Sequence, residues 1–313
     1  MSKCNNGTTF HFLKIYIYYD KGYNLINGVK YMKVKIITDS TCDLGKELLE
    51  KLDIEVLPLY VNFSDATYLD GVNIDVYKLY DLVEEKDELP KTAAVAIPTV
   101  EEVCQKYLDE GYDIVYTGIS KAMSRTFENV YMVAEDLGPD RIYPVDSKNL
   151  STGIGLLLLK ACKYRDQGLS AKEIAAKLER DRELVLSQFA IEKMDFLHKG
   201  GRCSSVAAFF GTMLKIKPII AVRDGKMHVQ KKPIGKMKMA LDAMLNQIEA
   251  DRNRLDEDHI FVTHSLGFEY AEYLKEKLKE KFPGVDLIET VAGCVISSHC
   301  GKGTIGILYM VTE

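Results

Sequence analysis

The chain has 313 residues, of which 47% are apolar and 28% charged, and its formal net charge is −5. This length and apolar content are enough for a substantial core and for two domains. The acidic balance argues against a nucleic-acid-binding protein, because such proteins carry a basic face or stripe. No apolar run approaches the roughly 20 residues that span a bilayer. The first residues do not resemble a secretory leader, and the seven cysteines show no paired spacing, so we expect a soluble cytoplasmic protein with reduced thiols.

Residues 1–31 differ in character from the rest of the chain. Tyrosine, asparagine and glycine surround a single apolar stretch at 12–19, which predicts one strand or none. A regular α/β pattern begins at Lys33, so Met32 is a candidate natural start and we expect 1–31 to be a peripheral extension. We predict one α/β domain at 32–169 and a second at 170–313.

The first domain alternates apolar strands with amphipathic helices. Strands are predicted at 34–38, 54–57, 59–63, 113–117 and 141–145, with helices between them and after the last, and 91–94 is predicted to be a loop. This alternation predicts a mainly parallel sheet covered by helices.

Three of these strands end in small hydroxyl or acidic residues. Asp39 and Ser40 follow the first strand, Ser120 follows the fourth, and Asp146 and Ser147 follow the fifth. Right-handed crossovers place these ends on one side of the sheet, where helix N-termini present free N–H groups. Either an anion site or ordinary N-capping accounts for the pattern.

The second domain is predicted to begin with a helix at 170–182 and a strand at 184–191. Asp224 and Gly225 join two apolar stretches, 219–222 and 227–230, into a predicted hairpin. A helix at 237–248, a strand at 260–264, a Lys/Glu-rich helix, and strands at 286–291 and 304–310 complete it.

The segment 199–218 contains the most distinctive residues of the chain. Gly200 and Gly201 permit a sharp turn beside Arg202. Ser204 or Ser205 then caps a predicted helix with an apolar face. These residues are compatible with two interpretations. Arg202 is either an exposed functional cation or a solvated arginine beside a core helix.

Two other motifs are rejected. The glycine pattern at 301–306 matches a dinucleotide fingerprint, but only seven residues come after it, too few for the helix and strand that the motif needs. Cys294, His299 and Cys300 lack a fourth partner for a zinc site. We therefore expect no cofactor and no metal.

The order Gly-Gly-Arg, Ser, then Gly-Thr-x-Leu-Lys-Ile-Lys-Pro resembles the hallmark of the DegV family of bacterial fatty-acid-binding proteins. The resemblance extends from about Met32 to the C-terminus. It implies a two-domain α/β fold with a ligand tunnel between the domains, and it assigns the fatty-acid carboxylate to Thr92, Ser124 and His299. Arg202 would contact a partner.

The resemblance also implies supporting and tunnel residues. The candidate supports are Asp39, Ser40, Ser120, Thr126, Asp146, Ser147 and Ser298, and the candidate tunnel residues are Phe209, Phe210, Met213, Leu214 and Ile216. Three positions depart from the family pattern: Ala93 replaces a serine, Arg125 replaces a glycine, and Ile234-Gly235 replace an Arg-Thr pair that resembles a kinase contact in many members.

The resemblance implies the function of a substrate-presenting protein without catalysis of its own. It would take a long-chain fatty acid from the membrane surface and present the carboxyl group to a separate ATP-dependent kinase subunit. Two alternatives remain open: a carrier or sensor of another amphipathic carboxylate, and a serine hydrolase with Ser40, Ser120 or Ser124 as nucleophile and His264 or His299 as base.

Overall fold

A computed structural model describes residues 18–20, 23–26, 29–203 and 216–313. The predicted strand at 12–19 falls mostly outside these ranges. The predicted helix after Arg202, with the tunnel candidates Phe209, Phe210, Met213 and Leu214, lies outside them entirely.

The described strands and helices alternate through most of the chain. The strands are β1 (Tyr18–Asp20), β2 (Tyr23–Ile26), β3 (Val29–Asp39), β4 (Ile54–Leu57), β5 (Tyr60–Asn62), β6 (Thr67–Leu69), β7 (Lys91–Ala93), β8 (Tyr112–Gly118), β9 (Ile142–Asp146), β10 (Val185–Ala190), β11 (Ile219–Arg223), β12 (Lys226–Lys231), β13 (Leu255–His264), β14 (Asp286–Val291) and β15 (Ile305–Val311). The helices are α1 (Lys46–Lys51), α2 (Val76–Lys86), α3 (Ile97–Asp109), α4 (Thr126–Leu137), α5 (Thr152–Asp166), α6 (Ala171–Asp181), α7 (Asp195–Gly200), α8 (Met237–Ala250), α9 (Phe268–Lys281) and α10 (Cys294–Cys300).

The first sheet is built on β3. Its carboxyl-terminal half pairs in parallel with β4 and β8, and β9 pairs in parallel with β8. This confirms the predicted parallel sheet. Its first residues pair antiparallel with β2, which in turn pairs with β1, so β3 begins five residues before the predicted strand.

Both faces of the first sheet are covered by helices. Ile37, Ile114 and Tyr116 pack with α3 and α4 in one apolar cluster. Ile36 and Val115, which point to the opposite face, pack with α5 and α6 in another. This division follows from the alternation of side chains along a strand.

A small antiparallel sheet in the order β6-β5-β7 accompanies the first. The prediction of a loop at 91–94 is wrong for residues 91–93, which form β7. In this strand Thr92 pairs with Val61 of β5. Three residues with no apolar alternation form a strand here only because a partner strand is available.

The second sheet has the order β12-β11-β10-β15-β13-β14. The predicted hairpin is confirmed as β11 and β12. Among the described strands of this sheet, β13 and β14 pair in parallel and the other neighbours are antiparallel. Helices α8 and α9 cover its outer face.

Helix α5 lies between the two sheets. Its apolar residues belong to one cluster with Val115 of the first sheet and Phe261 of the second. On the second-sheet side, Thr152 Oγ1 lies 2.6 Å from Thr263 Oγ1. Residues 152–158 of α5, Leu156 among them, are all buried, because this half of the helix has a sheet on each side.

Gly118, at the carboxyl end of β8, is tightly enclosed. A Cβ atom at this position would lie 2.1 Å from Asp39 Oδ2 and 2.2 Å from the Tyr116 hydroxyl oxygen. We expect Gly118→Ala to lower the free energy of unfolding by about 2–3 kcal/mol, because neither buried partner has room to move.

Urea unfolding measures this loss. The matched control is Gly284→Ala, where nothing lies within 4 Å of the added Cβ, and a change below about 1 kcal/mol is expected. Equal effects of the two substitutions would contradict this description of the end of β8.

Candidate functional site

A cavity of about 470 Å³ is lined by residues of both domains. Its apolar lining comprises Leu59, Ile119, Met123, Leu150, Phe189, Leu197, Met227, Val295, Ile296 and Leu308. This volume is in the usual range for small-molecule sites, which are mostly apolar with a few polar groups. We call it the interdomain cavity.

Thr92, Ser124 and His299 all line the interdomain cavity. Thr92 comes from β7 and His299 from α10, and Thr92 Oγ1 lies 2.8 Å from His299 Nε2. Ser124 precedes α4, and its Oγ lies 3.0 Å from Thr126 Oγ1. The structure therefore places two hydroxyls and one imidazole at the wall of a largely apolar cavity.

The Gly-Gly-Arg segment packs against His299. A Cβ at Gly200 would lie 2.5 Å from His299 Nδ1, so glycine permits the close approach of α7 to the ring. Gly201 has a φ of 67°, which favours glycine. The Arg202 guanidinium folds back onto the Gly200 carbonyl oxygen at 2.8 Å and lines the cavity.

The environment of His299 keeps its ring neutral. Burial, with a smaller contribution from the charge of Arg202, lowers the His299 pKa from 6.5 to about 4. Nδ1 is buried and has no hydrogen-bond partner among the described residues. Because an unpaired buried acceptor is tolerated better than an unpaired donor, we assign the proton to Nε2, where it donates to Thr92 Oγ1.

Three exposed cations also line the cavity: Lys121, Arg125 and Arg202. Arg125 and Ala93, two of the departures from the family pattern, are both lining residues. With His299 neutral, these cations are the positive charges that the described residues place at the wall of the interdomain cavity, where they favour an anionic group.

The candidate supporting residues hold loops beside the cavity and are not among its lining residues. Asp39 accepts hydrogen bonds from the Ile119 amide and the Tyr116 hydroxyl, and burial raises its pKa. Asp146 accepts from the amides of Lys121 and Lys148. At these two positions the side-chain carboxyl group of the protein itself accepts the N–H groups at the strand ends, which is the capping alternative.

Three of the remaining supports make local bonds, and Ser40 bonds a residue 30 positions away. Ser147 Oγ accepts from the Asn149 amide, Ser120 Oγ from the Ala122 amide, and Ser298 Oγ donates to the Cys294 carbonyl. Ser40 Oγ donates to Asp70. Ile216, the tunnel candidate that the structure describes, is buried in a bridge with Ile234 and is not a lining residue.

Sequence reasoning missed two buried carboxyl groups, Asp43 and Asp70, at the start of α10. Asp43 Oδ1 accepts from the Gly293 amide at 2.8 Å, and Asp70 Oδ1 accepts from the Cys294 amide at 2.7 Å. Burial raises the pKa of both carboxyl groups, to about 8 for Asp43. No local pattern identifies them, because their partners lie more than 200 residues away.

The arrangement around the two candidate bases differs from a Ser–His–acid relay. His299 Nε2 is paired with a threonine rather than with a serine. His264 is occupied on both nitrogens, since Nε2 lies 3.0 Å from Glu289 Oε1 and Nδ1 accepts from the Gly267 amide. No group of three or more metal-ligating side chains occurs within the described ranges.

The depressed pKa of His299 predicts a loss of stability in acid. As the pH falls from 6.5 towards 4, the unfolded chain binds a proton that the folded ring does not, which removes roughly 3 kcal/mol of stability at most. His299→Gln should show a smaller loss over this interval. Urea unfolding at several pH values measures it.

The control for this experiment is His228→Gln, an exposed histidine of β12. It should keep the pH dependence of the unmodified protein. If His299→Gln loses as much stability on acidification as the unmodified protein, the ring is not held neutral by burial.

Comparisons with known proteins agree with this fold. Residues 33–312 match the model of the DegV family, which is described as a family of uncharacterised proteins. A DegV domain-containing protein of Clostridium acetobutylicum is 35% identical over 278 residues, which cover 89% of this chain and 98% of that protein. In the part of the chain that the structure describes, no helix is long and apolar enough to cross a membrane.

Two solved structures are similar over most of their length. A DegV family protein of Thermus thermophilus, described as fatty acid binding, has a TM-score of 0.83 and 29% identity, covering 90% of this chain and all of that one. A stearic acid-binding protein of Eubacterium ventriosum has a TM-score of 0.77 and 26% identity, covering 89% and 98%. Since the family model spans almost the entire sequence and the fold agrees, this chain belongs to the DegV family.

Proposed function

We propose that this protein binds a long-chain fatty acid, with the acyl chain in the interdomain cavity and the carboxylate at Thr92, Ser124 and His299. The observation that carries the proposal is the Thr92–His299 hydrogen bond at the wall of a cavity with a mainly apolar lining. The fatty-acid-binding relatives with the same fold support it.

The chemistry of the cavity suits such a ligand. Each buried methylene contributes about 0.8 kcal/mol, so the apolar lining supplies most of the affinity. A buried carboxylate without donors is costly. The hydroxyl of Thr92, whose oxygen accepts from His299 Nε2, keeps its own hydrogen free to donate to the ligand. Arg125 and Lys121 then add charge stabilisation at the cavity wall.

The proposal extends to a partner protein. The ligand carboxyl is presented to a separate ATP-dependent kinase subunit in the cytoplasm, and the fatty acid enters by transient contact with a membrane surface. The exposed Arg202 guanidinium, beside the head-group residues, is the proposed contact with the kinase. The protein itself contributes binding and no catalysis.

Mass spectrometry of the lipid extracted from the purified protein tests the proposal directly. We expect a fatty acid at close to one molecule per chain. A nucleotide or sugar without lipid would overturn the proposal, and another amphipathic carboxylate would replace its ligand. Turnover of generic esters that Ser124→Ala abolishes would identify a hydrolase instead.

Thr92→Val removes the proposed donor to the carboxylate while keeping the shape of the side chain. We expect the affinity for palmitate to fall by at least about tenfold, since a hydrogen bond to a charged group is lost. The affinity for hexadecanol, which has the same chain without the charge, should fall less. Titration calorimetry or fluorescence displacement measures both.

The matched control is Thr67→Val on β6 of the same small sheet, where the hydroxyl is exposed and bonds Asn62. It should leave both affinities unchanged. Equal palmitate affinities for Thr92→Val and the unmodified protein would show that the head-group site lies elsewhere.

A further inference from the structure

The N-terminus of α10 is held by carboxyl groups from the first domain. Asp70 accepts from the amides of Cys294 at 2.7 Å and Val295 at 3.2 Å, and Asp43 accepts from the Gly293 amide at 2.8 Å. Three successive N–H groups that a helix leaves without internal partners are therefore satisfied. We call Asp43 and Asp70 the carboxylate clamp.

The clamp residues are themselves fixed by the first domain. Asp70 Oδ2 accepts from the Ser40 hydroxyl at 3.0 Å, and Asp43 Oδ2 accepts from the Ser151 hydroxyl at 2.5 Å. Ser151, which lines the interdomain cavity, adopts a φ of 52° that is uncommon outside glycine. Gly293 permits the close approach, since a Cβ there would lie 3.2–3.3 Å from both carboxyl groups.

The clamp and the Thr92–His299 bond attach the same helix at two points. The Asp70 amide donates to the carbonyl of Leu59, next to β5, and β5 pairs with β7, which carries Thr92. His299 follows Cys294 by five residues, roughly 8 Å along the helix axis. Thr92 and Asp70 are therefore connected through the small sheet, and each of them bonds α10. Asp70 bonds its first turn, and Thr92 bonds His299 near its end.

We propose that Asp43 and Asp70 are positioning residues, which hold α10 against the first domain so that His299 Nε2 meets Thr92 Oγ1 at the head-group end of the interdomain cavity. This inference rests on the proposed function for its ligand. An ordinary helix cap would stabilise α10 and leave selectivity for the head group unchanged. A positioning clamp sets that selectivity, because the Thr92 hydroxyl can donate to the ligand carboxylate only while the His299 imidazole stays within hydrogen-bond distance of it.

Asp70→Asn tests the clamp, since the substitution replaces one acceptor oxygen of the carboxyl group with an NH2 group, which cannot accept a hydrogen bond. We expect the palmitate affinity to fall by about tenfold and the hexadecanol affinity by less than about threefold. The second readout is the His299 pKa, followed by the ring C–H signals in NMR spectra. It should rise from about 4 towards 6.5 as α10 loosens and the ring gains solvent.

Two further variants keep the test decisive. Gly293→Ala only presses a methyl group against the clamp, so it remains folded if Asp70→Asn unfolds, and it should shift both readouts in the same direction by less. Asp251→Asn is the matched control, because Asp251 is a buried carboxylate that bonds Tyr309 and Arg254 away from the cavity. It should lower stability without changing either readout.

The outcomes separate the two proposals. If the unmodified protein binds neither palmitate nor hexadecanol, the proposed function fails, and the His299 pKa alone still decides whether the clamp positions the ring. The second case is that the unmodified protein binds palmitate, but neither Asp70→Asn nor Gly293→Ala changes the ratio of the palmitate and hexadecanol affinities or the His299 pKa. The clamp is then only a helix cap, and the inference is overturned.

Discussion

The burial of α5 between two sheets is the constraint on which the rest of the structure depends. This helix shares one apolar cluster with Val115 of the first sheet and Phe261 of the second, so one of the core clusters joins the two domains. Each buried leucine of such a helix contributes about 1.5–3 kcal/mol. Because the loop before α5 supplies Leu150 and Ser151 to the cavity lining, the same packing fixes one wall of the interdomain cavity.

The part of the cavity wall that carries Thr92 and His299 is assembled by contacts that cross between the domains. Thr92 belongs to a three-residue strand of the first domain, and His299 belongs to a seven-residue helix of the second. Neither element is long enough to hold a side chain precisely by itself. Their relative position depends on Gly200 behind the imidazole and on the carboxylate clamp at the start of α10.

Charge is distributed in a way that suits an anionic ligand. The carboxyl groups of Asp39, Asp43 and Asp70 are buried and accept hydrogen bonds from amides and hydroxyls, and these residues are not among those that line the cavity. The cavity wall instead carries a neutral imidazole and exposed cations such as Arg125. The carboxylate of the proposed fatty acid would therefore meet donors and positive charge rather than the buried carboxyl groups.

The sequence by itself determined the elements with a strong local signal: the parallel strands of the first sheet, the hairpin at Asp224, and the family to which the chain belongs. The spacing of apolar residues shows which side of a short segment is buried, and it therefore identifies such elements well. It did not identify β7, the burial of both faces of α5, or the clamp. Only the tertiary structure decided these, because the Thr92–His299 and Asp43–Gly293 contacts join residues 207 and 250 positions apart, a pairing that no local pattern encodes.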